Sequence, residues 1–180
     1  MCRPPEALTF SGFAVVVARE NRLKQWRAWT ETFLAATRGK VVQLHLAKKD
    51  RYAALVQVAV HVPLLAYCKT LMAFHAETNE LFQVASGFYR ITVAAVLRII
   101  RQEPSLYWNV IHENPYSDAV LDVFEHELRE IRMILASNNF PVFKQIFLDG
   151  REFAGEENLK KGFVLFNKLT REAKARWNKK

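Results

Sequence analysis

The residues best placed to do chemistry lie on two apolar stretches. In Phe88–Arg101 the run is FYRITVAAVLRIIR, with three arginines set among aliphatic residues. At about 100° per residue, Arg90 and Arg101 share one helical face and Arg98 sits roughly 80° away. A helix apolar almost all the way round is expected to be largely buried, and Arg98 is flanked by Val96, Leu97, Ile99 and Ile100. A buried guanidinium is costly unless it meets an anion. A carboxylate of the chain, such as Glu77, Glu80 or Asp122, would make an internal salt bridge. The carboxylate of a bound acid would instead be held by the planar fork through two parallel hydrogen bonds. His61 is the second candidate, standing among Val58, Ala59, Val60, Val62 and Leu64 one turn after Gln57. There it is either a hydrogen-bonded core residue or a polar group turned to a ligand.

Conventional catalytic patterns are missing. The six glycines, at 12, 39, 87, 150, 155 and 162, are isolated, so no G-x-G-x-x-G or Walker A loop is written. There is no G-x-S-x-G and no H-E-x-x-H, and the five histidines lack metal-ligand spacing. Neither a metal nor a bound cofactor is expected in these residues.

The elements that must position Arg98 and His61 are helices. Phe13–Ala18 reads as a strand, Arg22 to about Thr37 as a helix capped by Asn21, and Val41–His45 as a second strand. A strand–helix–strand unit of this size is a crossover piece of an α/β sheet, too small to be such a domain alone. From about Ala47 onward everything reads as helix. The first runs from near Asp50 to about His75, with Pro63 expected to bend it. Others run from Gly87 to Gln102, from Pro104 through Ile111, and from Ser117 or Asp118 to about 137–139. Phe140–Leu148 and Glu156–Trp177 complete the set. The expected fold is mainly α: residues 1–46 form an α/β remnant and residues 47–180 a helical bundle.

Bulk properties narrow the classes. Of the 180 residues 51% are apolar and 24% charged, the balance of a globular protein with a core of its own. No stretch reaches the roughly 20 uninterrupted apolar residues of a membrane span. The best run, Ala53–Tyr67, is broken by Gln57, His61 and Pro63, so no membrane partner is expected. The first residues lack a signal-peptide apolar core, and Cys2 and Cys68 form no disulfide framework. A cytoplasmic location is the expectation. The formal charge is 26 − 18 = +8. Its basic residues are scattered and thicken only in Lys168–Lys180, without a nucleic-acid-binding motif. A solvated surface and a basic tail are expected rather than nucleic-acid binding, and small anionic ligands suit the same charge.

At this point the chain resembles a known family. Gly87–Pro115, reading GFYRITVAAVLRIIRQEPSLYWNVIHENP, is similar to the signature helix of prephenate and arogenate dehydrogenases. Those proteins have a helix with an arginine, an acidic-Pro step, then a Tyr or Trp and an Asn. Upstream, Asp50–His61 resembles the family's H-D-x-x-x-A-x-x-Q-x-x-x-H helix, with Lys49 in place of the first histidine. Phe13–His45 resembles the last α/β unit of the family's dinucleotide domain. The resemblance implies that Arg98 pairs with a prephenate carboxylate and that His61 lies near the substrate ring and the tyrosine-inhibitor site. Gln57 and Arg90 would match polar positions of the same pocket, and Tyr107 or Trp108 would close it. A homodimer of interleaved helices is implied. The family's glycine-rich loop and its catalytic-histidine segment, similar to H-P-M-F-G-P, find no counterpart. Hydride transfer needs a cofactor held against the substrate. The expectation is therefore a regulatory binding domain for prephenate, tyrosine or a related acid, or half of a split dehydrogenase of tyrosine biosynthesis completed by a separate Rossmann-type subunit carrying NAD or NADP. The alternative is a repurposed, cofactor-independent enzyme acting on a prephenate-like or aromatic acid in secondary metabolism, with His61 among its acid–base groups.

Overall fold

The computed structural model describes residues 14–18, 28, 32 and 40–177. Two β-branched runs form strands, β1 (Ala14–Ala18) and β2 (Lys40–Leu44), paired in parallel with Ala14 opposite Lys40 and Ala18 opposite Leu44. A parallel pair needs a crossover connection. The helix expected there lies outside the described residues except for Ala28 and Thr32. Both are helical, and the Thr32 hydroxyl donates to the Ala28 carbonyl at 2.8 Å.

The remainder is helical, so the chain is mainly α. A continuous helical path runs through α1 (Leu46–Ala53), a π-helical turn (Ala54–Val58) and α2 (Ala59–Ala73). Pro63 has no N–H to give the Ala59 carbonyl. The register nevertheless changes one turn earlier, where the Ala59 N–H reaches back five residues to the Ala54 carbonyl. His75, at φ 50°, ends this path in the left-handed region. The 28 residues Leu46–Ala73 contain an 18-residue stretch of mean hydropathy 1.4, long and apolar enough to cross a membrane by length and composition. The sequence pattern had suggested a shorter, interrupted run.

A short helix that periodicity did not reveal, α3 (Thr78–Val84), precedes α4 (Gly87–Ile100), whose first turn is capped by the Ser86 hydroxyl. Pro104 opens α5 (Pro104–His112), where its missing N–H costs nothing. Then come α6 (Ser117–Ala136), α7 (Phe140–Ala154) and α8 (Glu156–Trp177). Asn139 caps α7 through the Val142 N–H, and Gly155, at φ 72°, makes the turn into α8. Helix α7 continues six residues beyond the expected Leu148, running through Gly150 and ending only before Gly155, whose φ is 72°.

The core is small and one-sided. Its apolar members are Ala54 and Val58 of the π turn, Val93, Val96 and Ile99 of α4, and Tyr107 of α5. Helices α5 and α6 pack on the π turn, while α4 lies between α2 and α8. The α4–α8 approach is close: a Cβ at Gly87 would stand 2.8 Å from the Thr170 Cβ, and the Phe88 and Phe166 rings lie 5.3 Å apart.

Candidate functional site

Helix α4 packs chiefly on α2 and α8, and Phe88, Leu97 and Ile100 on it are exposed. The residues it buries are Arg90, Val93, Val96 and Ile99. The expectation that Arg98 is a buried guanidinium is thereby corrected: Arg98 is exposed and Arg90 is the arginine inside. Arg90 Nη2 donates to the Phe82 carbonyl at 2.9 Å, in the last turn of α3, where carbonyls carry the negative end of the helix dipole. Arg98 pairs with none of Glu77, Glu80 or Asp122 and makes no ion pair or hydrogen bond among the described residues. The internal salt bridge is absent.

Helix α2 brings His61 to the same neighbourhood. Its ring meets Tyr107 edge-on, at 4.9 Å between centroids and 87° between planes. Burial pushes the imidazole below its ordinary 6.5, and the nearby Arg98 cation pushes it the same way. Both effects favour the neutral imidazole. Its Nδ1 atom is enclosed and has no hydrogen-bond partner, which leaves a polar demand unmet at a half-buried position. Tyr107 in turn donates its hydroxyl to Gln102 Oε1 at 3.0 Å.

Two clefts meet at Gln102. One of about 490 Å³ is lined by Ala94, Leu97, Arg98, Arg101 and Gln102. The other, about 700 Å³ and almost wholly apolar, runs past Leu65, Ile99, Pro104, Tyr107 and Trp108. Trp108 is exposed there and stacks on His112 at 4.8 Å. Cation, neutral imidazole and apolar wall therefore converge from α2, α4 and α5. Such a set can seat a ring-bearing carboxylic acid.

Gln57 lies elsewhere. The π turn aims it at a third cleft, about 700 Å³, with Lys49, Asp50, Asn109, Glu113 and Asn114. Lys49 pairs with Asp50 at 3.2 Å, and Asn114 Nδ2 donates to the Asp50 carbonyl at 3.0 Å, tying the α5–α6 loop to α1. Two residues at the cluster, Arg101 and Gln102, were not singled out as pocket residues. The signal available in sequence was spacing: Arg101 follows Arg98 by three residues, which makes the two neighbours on a helix surface.

A family described as "Prephenate dehydrogenase, dimerization domain" matches residues 46–149. The chain belongs to that family. The matched segment contains Gln57, His61, Arg90, Arg98, Tyr107 and Trp108. A relative described as "Probable arogenate/prephenate dehydrogenase", from Methanocaldococcus jannaschii, is 24% identical over 140 residues. The aligned region is 78% of this chain but 31% of that relative, so the chain spans less than a third of its length.

Proposed function

We propose that this prephenate dehydrogenase-family chain binds prephenate, or a closely related cyclohexadienyl or aromatic acid, at the Arg98–His61–Tyr107 cluster. It acts as a cytoplasmic homodimer in tyrosine biosynthesis, either as a regulatory domain or beside a separate cofactor-binding subunit. The carrying observation is a guanidinium without a carboxylate partner among the described residues, beside an imidazole with an unsatisfied nitrogen. Arg98 supplies the charge, the neutral His61 a hydrogen bond to a hydroxyl or carboxyl oxygen, and Tyr107 and Trp108 a wall for the ring. Residues 1–46 belong with the α/β side and residues 47–180 with the helical side. These residues hold no NAD or NADP of their own in this reading. Dimerisation suits the apolar surface of α1–α2 and α6–α8, which a second copy would cover in place of lipid. The neutral state of His61 favours a second reading, in which it serves as the base of a cofactor-free reaction on the same acid.

Calorimetry against prephenate, arogenate, tyrosine and 4-hydroxyphenylpyruvate tests the ligand. At least one should bind, and Arg98→Lys should weaken that acid by about 2–3 kcal/mol, because lysine cannot reproduce the bidentate fork. Unchanged affinity in Arg98→Lys would remove Arg98 from the site. Light scattering should give about twice the 20.9 kDa chain mass.

A further inference from the structure

The acid site draws on α2, α4 and α5 and leaves the last helix unused. Helix α8 carries six cations against three carboxylates, whereas α6 has the opposite balance, two arginines against five carboxylates. At about 100° per residue, Lys160, Lys161, Val164, Lys168 and Arg171 of α8 fall within one arc of about 100°. All five are exposed. The arc lies away from Phe166 and Thr170, through which α8 meets α4. Lys160 and Lys161 pair with Glu156 and Glu157 one turn back, but both pairs stand open to solvent, where such pairs hold little energy. Lys168 and Arg171 make no ion pair among the described residues. Positive charge is thus concentrated on the outer side of one helix.

Between these cations the surface is aliphatic. Lys160, Lys161, Val164, Leu165 and Lys168 line a shallow hollow of about 430 Å³, in which Val164 and Leu165 are exposed. An aliphatic floor under a rim of ammonium groups matches a surface that is anionic outside and hydrocarbon just beneath. Lysine stems lie along such a boundary while their charged heads stay among the headgroups. We infer that this face of α8 is a docking surface for an anionic lipid bilayer, on which the chain lies without crossing it. Nucleic acid fits the face less well, because the arc holds no aromatic ring on which a base could stack. A second copy suits the open apolar rings of α6 and α7, whereas two cationic arcs laid together would repel. Helix α8 lies beyond the matched residues 46–149, and the face is separate from the acid site, which stands or falls independently of it.

Co-sedimentation of the full chain with vesicles tests the face. Phosphatidylcholine vesicles with about one-third phosphatidylserine should bind the chain at least about tenfold more tightly than phosphatidylcholine alone, since several cations meet the anionic surface together. Raising salt from about 0.05 M to about 0.5 M should release the chain, because exposed charges are then screened. Lys161→Glu/Lys168→Glu should weaken binding at least about tenfold, while Arg132→Glu/Lys144→Glu, the same change of charge placed on α6 and α7, should weaken it less than about threefold. All four positions are exposed, so both variants should melt with the parent chain. No binding by the parent chain, binding that ignores phosphatidylserine or salt, or an equal loss in the two double variants overturns the inference. Two further results overturn it by naming another occupant. A scattering mass that falls toward 20.9 kDa in Lys161→Glu/Lys168→Glu alone would give the face to a second copy. Tighter binding of a short DNA or RNA oligonucleotide than of the anionic vesicles, at the same salt, would give it to nucleic acid.

Discussion

Two parts of this molecule handle their apolar residues in opposite ways. From α1 to α5 the chain makes a small core in which Ala54 and Val58 are wholly buried and Val93, Val96, Ile99 and Tyr107 nearly so. From α6 to α8 the only buried residue among those described is Ser117, at the very start of α6, where its hydroxyl donates to the Ile111 carbonyl. Large side chains in this second part stand open: Phe147 at 54%, Phe163 at 71% and Phe153 at 94% exposure. The helices themselves are well formed, capped at Asn139 and turned at Gly155. Apart from α6 on the π turn and α8 on α4, most of their apolar surface has nothing to lie against. The first part can hold a site because it packs on itself, while the second has the pattern of a core that another chain completes.

The largest expected effect comes from attacking that second part. In Phe124→Asp/Phe147→Asp two carboxylates replace apolar rings on α6 and α7, and burying them between subunits would cost several kcal/mol. Dimer dissociation should strengthen by at least about 100-fold, moving the scattering mass toward 20.9 kDa at micromolar concentration. Circular dichroism on the same samples reports whether helix survives. A parent chain that is already monomeric, or a double variant that keeps the dimer mass, would mean these rings are ordinary surface.

Smaller losses are expected where the two parts meet and inside the first. Gly87→Val sets a helix-propensity gain against a clash, because the new Cβ would stand 2.8 Å from the Thr170 Cβ of α8. Replacing glycine helps a helix by less than about 1 kcal/mol, whereas overpacking costs about 1–3 kcal/mol, so the variant should be destabilised. Denaturant midpoints decide the sign, and a gain would show that α8 yields easily. Arg90→Ala should cost about 1–3 kcal/mol, since it empties a buried position and leaves the Phe82 carbonyl without this donor.

His61 probes the first part through pH. Its folded-state pKa is lowered, first by burial and then by the Arg98 cation. Below 6.5 the unfolded chain takes up a proton that the folded chain resists, so stability falls as pH drops through the window between 6.5 and the lower folded value. Melting temperature should therefore decline from pH 7.5 to 5.5, and His61→Gln should decline less over the same range. Equal slopes would assign the acid sensitivity to other groups.

Much of this division was legible in the residues. The β-branched runs Phe13–Ala18 and Val41–His45 marked the strands found at 14–18 and 40–44, the apolar periodicity marked the long helices, and Pro104 and the pair Ser117-Asp118 marked two helix starts. Burial of individual side chains was not legible. A helix as apolar as Phe88–Arg101 has no polar side to orient it, so which arginine turns inward depends on where α2 and α8 press. The same holds for the π turn, whose position along Leu46–Ala73 follows from packing and not from Pro63 alone. Gln102 joined the site only through the Tyr107 hydroxyl, a contact between helices with no signature in local spacing.

The smallest expected effect is also the most discriminating between the two arginines of α4. Arg98 is exposed, makes no ion pair or hydrogen bond among the described residues, and its cation disfavours the charged form of His61. Removing it should therefore change stability by no more than about 0.5 kcal/mol, as for a surface position without partners. Arg101 across the cleft loses a like-charged neighbour in the same change, which offsets part of the lost packing of the arginine stem. Chemical denaturation of Arg98→Ala beside Arg90→Ala reads the difference directly, one near zero and the other well above it. Were Arg98→Ala to lose about 3–5 kcal/mol instead, the guanidinium would be a structural ion of the core or subunit interface, with no cation left over for an acid.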